Sequence, residues 1–317
     1  MPARPSELPE HLGESFSCRE ALDLGVTRDR LRARDLAAPF RGTRLARPIA
    51  DPVGSRAHVI RLAKAYAAVM PSEAVFCGRT AAVLMGGPIR HGTALEVGVF
   101  APHRAPRAAG VAGHQMVPSL ISAGSFMGLP CASPASTWAM LAESLSTDDL
   151  VRLGDHLVVI PRDERARLRP ERRLATPDQL RAAALAPRRR SRGRLLDALE
   201  LIRVGAMSPL ETDFRLLTTR AGLPHPTLQL EVRAVNGRLI GVADAAYERY
   251  GVLVEVEGDH HRTDRRQWAR DIEKHAAYVA LGWEVIRLTS AHIRARVPAA
   301  PALVRAVLTR RGWAPLT

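Results

Sequence analysis

The stretch that decides the fold is Gly241-Val-Ala-Asp244, followed by Val252-Leu-Val-Glu255-Val-Glu257-Gly258 and His260-His261. It reads as two β-strands. Side chains alternate across a strand, so Glu255 and Glu257 point to one side and Val252, Val254 and Val256 point to the other, into a core. Asp244 stands near the end of the first strand. Three carboxylates gathered by β-branched strands repel one another. Hard oxygen donors in this arrangement suit Mg²⁺ (or Mn²⁺), which takes one or two carboxylates and completes its shell with water and substrate phosphates. An acid between valines on a central strand needs a partner in any case.

Around this stretch the chain reads as helix, three strands, helix, strand. Ser208-Pro-Leu-Glu211 is a capping box with proline at the first helical position. Its helix runs to about Ala221 with Leu210, Phe214 and Leu217 on one face, and Gly222 ends it. Strands are expected at Thr227 to Ala234, Arg238 to Ala243 and Val252 to Glu257, the first two joined by an Asn236-Gly237 hairpin turn. A helix from Asp264 to Leu281 would bury Trp268, Ile272, Ala276 and Val279, with Gly282 just past its end and a last strand at Trp283 to Leu288. The order predicts an α/β sandwich with a mixed sheet and flanking helices over residues 195–317.

Residues 1–50 suggest a winged helix-turn-helix. Ser17-Cys-Arg-Glu20 opens a helix that Gly25 breaks, and Thr27 caps a second from Arg28 to Leu36 with Leu31 inward. Pro39 to Ala46 reads as a strand pair turning at Gly42. Arg28, Arg30, Arg32 and Arg34 on the second helix, with Arg41 in the hairpin, would suit a major groove. A small helical cap with a solvated arginine face accounts for the same residues. Residues 56–160 read as a small α/β domain, with helices at Ala57 to Met70, Ser133-Pro134 to Glu143 and Asp148 to Val159, and a strand at Leu95 to Phe100. Asp148 and Asp149 there are helix N-terminal acids, and no catalytic constellation stands out. Residues 161–194 are arginine-rich, with a helix starting at Thr176-Pro-Asp-Gln179 and a basic run, Pro187 to Arg194, that reads at least partly as a linker.

The chain has 317 residues and a formal charge of +14. That balance predicts a polyanionic partner, most simply nucleic acid, DNA or RNA, or else non-specific attraction to anionic surfaces. Only Lys64 and Lys274 are lysines; the rest of the 46 basic residues are arginine. Such a bias can follow from genomic base composition, so it says less than the sign of the charge. Cys18, Cys77 and Cys131 are far apart and lack metal-ligand spacing, which predicts free thiols of a reducing compartment. The absence of an apolar signal region and of a long apolar run predicts a cytoplasmic chain that does not span a membrane.

Asp244 with Glu255-x-Glu257 resembles the core of the PD-(D/E)xK nuclease superfamily. More narrowly, Ser208 to His292 resembles a domain family related to very-short-patch-repair endonucleases. The matching pattern is Ser208-Pro-Leu-Glu211-Thr, Ala221-Gly-Leu-Pro, Asp244, Glu255-Val-Glu-Gly258, His260-His261, Asp271 and Gly282-Trp283-Glu-Val-Ile-Arg287. The first two hundred residues resemble the N-terminal part of actinobacterial proteins of the AbiEi antitoxin type, through Ala21 to Gly25, Phe40-Arg-Gly42 and Gly128-Leu-Pro-Cys-Ala-Ser-Pro134.

The resemblance implies a metal-dependent phosphodiesterase fold in which Asp244 and Glu255 hold Mg²⁺, with the Val256 carbonyl as a further donor. The superfamily usually has lysine at the third motif position; here it is Glu257, readable as a base, a second metal ligand or a sign of decay. Lys274, one turn from Asp271, is the candidate replacement cation. Glu211 reads either as the closing half of the capping box or as an auxiliary ligand. His260 and His261 are loop histidines, solvated or, His261 in preference, able to donate to phosphate. Asp271 pairs with Arg270, Lys274 or Arg287 in the simple structural reading. Two functions compete: an Mg²⁺-dependent endonuclease guided by the N-terminal module, and a non-catalytic DNA-binding regulator of the antitoxin type.

Overall fold

The valine-rich strand Val252–Glu257 forms as its alternation demands, and it lies inside a four-stranded sheet. A computed structural model describes residues 6–258 and 265–315, and in the helix starting at Arg265 the side chains from Asp271 onward. The chain is an α/β protein dividing into two units, Met1–Leu153 with Pro177–Asp197, and Gly154–Thr176 with Ala198–Thr317.

The second unit carries the decisive stretch. Its elements are α1 (Pro209–Arg220), β1 (Thr227–Arg233), β2 (Leu239–Tyr247), β3 (Val252–Glu257), α2 (Arg265–Ala280), β4 (Glu284–Thr289), α3 (Ser290–Arg294) and α4 (Ala300–Arg310). The sheet order is β4-β3-β2-β1, with β3 and β4 parallel and the other pairs antiparallel. The sheet is mixed, as expected, and both of its faces are covered. Val252, Val254, Ile286 and Leu288 pack with Leu210 and Phe214 of α1 and with Ile293, Val304 and Leu308. On the other face Leu253, Val232, Ala243 and Ala246 pack with Tyr278 of α2. Gly222 and Gly282 end α1 and α2 at φ 70° and 85°, the left-handed region that a side chain disfavours.

Two expectations change in this unit. Strand β2 runs four residues past Ala243, so Asp244 lies inside it; Ala245 and Ala246 pair with β1 and β3 on both sides and Tyr247 with β3, a continuation that small alanines conceal in sequence. Helix α2 is rotated from the face expected of it. Ile272, Ala276 and Val279 are exposed, while Tyr278 is buried and Lys274 half-buried. The sheet face offers Ala243, Ala246 and Gly241 as a shallow floor, which accommodates a tyrosine. The Trp268 side chain lies outside the described residues.

In the first unit, five strands run in the order Val111–Met116, Leu95–Phe100, Ala74–Phe76, Leu129–Ala132, Ala123–Phe126. Helices Arg56–Ala67, Gly78–Leu84 and Pro134–Met140 accompany them, the last opened by Ser133, which accepts from Ser136 N–H as read from sequence. Cys77 and Cys131 are buried free thiols, and burial pushes both pKa values up, that of Cys131 to about 12.

The expected second helix, Arg28 to Leu36, is a single 3₁₀ turn, Arg30–Arg32. Leu31 is its only buried residue, so there is no apolar face to hold a longer helix. Nor is there a strand pair at Pro39 to Ala46. Thr43–Leu45 pairs instead with Ser15–Ser17, and Phe40 turns inward onto Tyr66, ring centroids 5.0 Å apart.

The basic run expected to be partly linker is built into the first unit. Arg189 donates to the carbonyls of Ala183 and Leu120, and Arg192 to those of Leu185 and Ala186, at the C-terminal end of helix Pro177–Leu185. Arg194 donates to the Ala142 carbonyl at 2.7 Å. Guanidinium groups satisfy helix-end carbonyls that have no partner within the helix.

Asp155 anchors the second unit. Its Oδ2 accepts from Arg215 at 2.7 Å and Thr212 at 2.9 Å, and its Oδ1 from the Arg203 N–H at 2.8 Å. Burial raises its pKa and Arg215 opposes that rise. Removing one partner of a buried pair strands the other charge, which costs about 3–5 kcal/mol. Asp155→Ala should therefore cut stability by that amount in urea unfolding; a loss below about 1 kcal/mol would mark the pair as energetically idle.

Candidate metal and phosphodiester site

Backbone pairing between β3 and β2 extends to Val254↔Ala245. Beyond it, the Val256 N–H donates to Asp244 Oδ2 at 2.7 Å. Asp244 thus takes over from a backbone carbonyl at the end of that ladder. The pairs Leu228↔Ala245 and Leu230↔Ala243 set Gln229 of β1 opposite Asp244. Gln229 has φ 54°, unusual for a residue with a side chain and a form of strain that clusters at functional sites. Its amide donates to Glu211 Oε2 at 3.3 Å and also favours the charged form of Asp244.

Glu211 enters from the first turn of α1 and is 7% exposed. Ser208 Oγ accepts from the Glu211 N–H at 3.2 Å, so half of the expected capping box is present. The Glu211 carboxylate accepts from the Met207 N–H at 2.8 Å. Burial, and next the charge of Asp244, raise its pKa to about 8.

Glu255 is held from α2. Lys274 Nζ lies 2.9 Å from its Oε1, and beyond this ion pair that oxygen has no hydrogen-bond partner among the described residues. Burial pushes the Glu255 carboxyl up to about 7; Lys274 opposes the rise, and Asp244 and Asp271 add to it. The Asp244 carboxyl is also raised, by burial first, against the pull of the Val256 N–H and Lys274. Tyr278, fully buried one turn along α2, has its ring centroid 5.6 Å from Lys274 Nζ.

The structure therefore brings together Asp244, Glu255 and Lys274, with Glu211 linked through Gln229. Glu257 pairs with Arg287 nearer the surface, and its charge still acts on Asp244. The register explains this: Arg287 lies beside Glu255 on β4, one pleat from Glu257 on the same face. Asp271 is close enough for its charge to act on Glu255. His260 and His261 lie outside the described residues. In the first unit Arg28, Arg32, Arg34 and Arg41 are exposed. Arg30, expected among the groove-reading arginines, is instead bound to Asp35 by two hydrogen bonds, 2.9 and 2.8 Å, and to the Ser6 carbonyl.

No three His, Cys, Asp or Glu residues form a metal-binding group among the described residues. A divalent cation would rest on two carboxylates, Asp244 and Glu255, which is a sufficient protein contribution for Mg²⁺ or Mn²⁺. They fit such an ion. Both are oxygen donors, the charge of Asp244 acts on Glu255, and among the described residues Glu255 Oε1 meets one cation, the Lys274 ammonium. Sequence reasoning missed Gln229 and Tyr278. Counting back from the Asn236-Gly237 turn would have placed Gln229 near Asp244; nothing in the sequence marks Tyr278.

No family model matches the chain, and no curated protein matches it. Among solved structures it is similar to the RV2827C protein from Mycobacterium tuberculosis, with 15% identity and a TM-score of 0.38, over 74% of this chain and 92% of that one. A likeness this remote assigns no chemistry.

The raised Glu211 pKa has a measurable sign. An unfolded glutamate titrates near ~4.3, whereas folded Glu211 keeps its proton to about 8. Between these values the folded state binds more protons, so Glu211 makes stability fall as pH rises. Glu211→Gln should flatten that fall, read as the thermal midpoint at about pH 5 and about pH 8. Parallel wild-type and variant curves would mean that Glu211 is already ionised at neutral pH.

Proposed function

We propose that the second unit is a metal-dependent endonuclease that hydrolyses DNA phosphodiester bonds, with the exposed arginines of the N-terminal segment contributing to DNA binding. The observation that carries this reading is the meeting of Asp244 and Glu255 with Lys274, two carboxylates and one ammonium from three different elements. Asp244 and Glu255 would hold Mg²⁺ or Mn²⁺. A bound ion of this kind polarises a phosphoryl oxygen and lowers the pKa of a coordinated water. Glu257 occupies the motif position where the resembled superfamily usually has lysine, and Lys274 supplies that charge from α2. Its ammonium is placed to donate to a phosphate oxygen as charge develops there. His261, following β3 in the chain, is the proposed proton donor to the leaving oxygen.

A second reading has its own support. Asp244, Glu255 and Glu257 each already have a partner: the Val256 N–H, Lys274 and Arg287. A site so satisfied is compatible with a DNA-binding regulator of the antitoxin type that retains the fold without the chemistry.

Cleavage separates the two. Wild type should cut plasmid, linear or single-stranded DNA when Mg²⁺ or Mn²⁺ is added, and Asp244→Ala should abolish it. DNA binding with no cleavage under either ion would favour the regulator. Binding itself should weaken with salt, log affinity falling by ~0.9 per log unit for each phosphate contacted. Replacing Arg28, Arg32, Arg34 and Arg41 together by alanine should reduce that slope; an unchanged slope would exclude this segment from the interface.

A further inference from the structure

We infer that Lys274 is the resident counter-cation of the Asp244–Glu255 pair, and that a divalent cation enters the site by displacing it. The inference rests on the metal-dependent reading above and says how that site is gated. Three observations carry it. Lys274 Nζ lies 2.9 Å from Glu255 Oε1, an oxygen with no other partner among the described residues. The ammonium also faces the buried ring of Tyr278 at 5.6 Å, a second electronegative surface within reach. Gly241 of β2 leaves the space in which the lysine lies: a β carbon there would stand 2.5 Å from Tyr278 Oη and 2.8 Å from Lys274 Cδ.

An ammonium and a divalent ion on one carboxylate repel each other at such range, so each weakens the other's hold. Metal binding at Glu255 therefore favours release of Lys274. The release is inexpensive. The lysine stem is long and flexible, and the Tyr278 ring keeps a favourable surface beneath the freed charge. Once displaced, the ammonium is available to a phosphate brought in by the metal. Lys274 is thus a positioning residue in the resting protein and a phosphate contact only when the site is loaded. Gly241 and Tyr278 set where it rests.

A lysine that merely helps assemble the site predicts weaker metal binding when removed. Competition predicts the opposite. Calorimetric titration of the full chain with Mn²⁺ alone tests this, run for each variant at two pH values so that proton release from the Glu255 carboxyl is counted separately from metal affinity. Lys274→Met should bind Mn²⁺ tighter by about tenfold, since an opposing charge at this range shifts a carboxylate by about one pKa unit or more. Gly241→Ala, which crowds the lysine stem, should move affinity the same way, and Lys274→Arg, whose rigid fork is harder to displace from a carboxylate, should bind Mn²⁺ more weakly than wild type. DNA cleavage by Lys274→Met should nevertheless fall. Circular dichroism of each variant establishes that it is folded. Equal or weaker Mn²⁺ binding by folded Lys274→Met, with wild type binding normally, overturns the displacement idea and leaves the metal-dependent reading standing. No binding heat in either protein overturns the metal-dependent reading, and this inference with it.

Discussion

A carboxylate on a covered strand must find a partner, and in the second unit that constraint falls on Glu255. Its neighbours Val254 and Val256 belong to one core, and the face it points to is closed by α2. Burying an unpaired charge there would cost several kcal/mol, on the order of the penalty for any uncompensated buried ion. The partner is Lys274, and turning Lys274 inward decides the orientation of α2. Tyr278, one turn on, follows it into the space over Ala243 and Ala246. Ile272, Ala276 and Val279 are left outward, although an apolar stripe would ordinarily face the core. Gly241 is part of the same solution, since any side chain there would meet both Lys274 and Tyr278.

The same unit contains a buried acid solved differently. Both Asp155 oxygens are saturated, by Arg215, Thr212 and the Arg203 N–H, and its ion pair is almost fully enclosed, with side chains 1% and 5% exposed. Arginine offers a rigid fork that locks such a network, whereas lysine is a point charge on a flexible stem. The chain is nearly all arginine among its basic residues, yet the acid at the candidate site is met by one of its two lysines. A fixed structural pair and an exchangeable one call for these two different cations, and the contrast within one unit is what makes the Glu255 pair suited to exchange.

How far the sequence exposes this depends on whether the signal is local. The alternation in Val252–Glu257, the proline-opened helix at Pro209 and the glycines past α1 and α2 are local, and all three appear where expected. Asp244 beside β3 followed from strand order. Gln229 did not, because a neutral amide in a strand carries no chemical signature until the hairpin register sets it opposite Asp244. The rotation of α2 was illegible for a related reason: helical periodicity weighs Ile272 and Val279 by hydrophobicity, and an ion pair between Lys274 and Glu255 of the preceding strand outweighs them. Residues 28–36 failed through too little signal, one inward leucine being unable to stabilise a helix of that length. Glu257 shows the limit of motif spacing, which predicted a shared face with Glu255 but not that Arg287 would claim it.

The arginines bear on how the charge of +14 should be read. Many guanidinium groups are occupied by backbone carbonyls: Arg44 binds those of Leu31 and Thr43, Arg189 and Arg192 a helix end, and Arg311 those of Tyr250, Gly251 and Gly282. A carbonyl does not neutralise a guanidinium, so these residues still contribute to the long-range field that steers a polyanion. What they lose is the freedom to close on a phosphate, which needs donors aimed outward. The two roles scale differently. Encounter rate follows the whole positive charge, whereas counterion release on binding follows only the arginines that touch phosphate. For this chain the formal charge is therefore an upper bound on contact, and in the proposed reading the salt dependence of DNA binding would follow only the exposed arginines that reach phosphate, with Arg28, Arg32, Arg34 and Arg41 as the set to test.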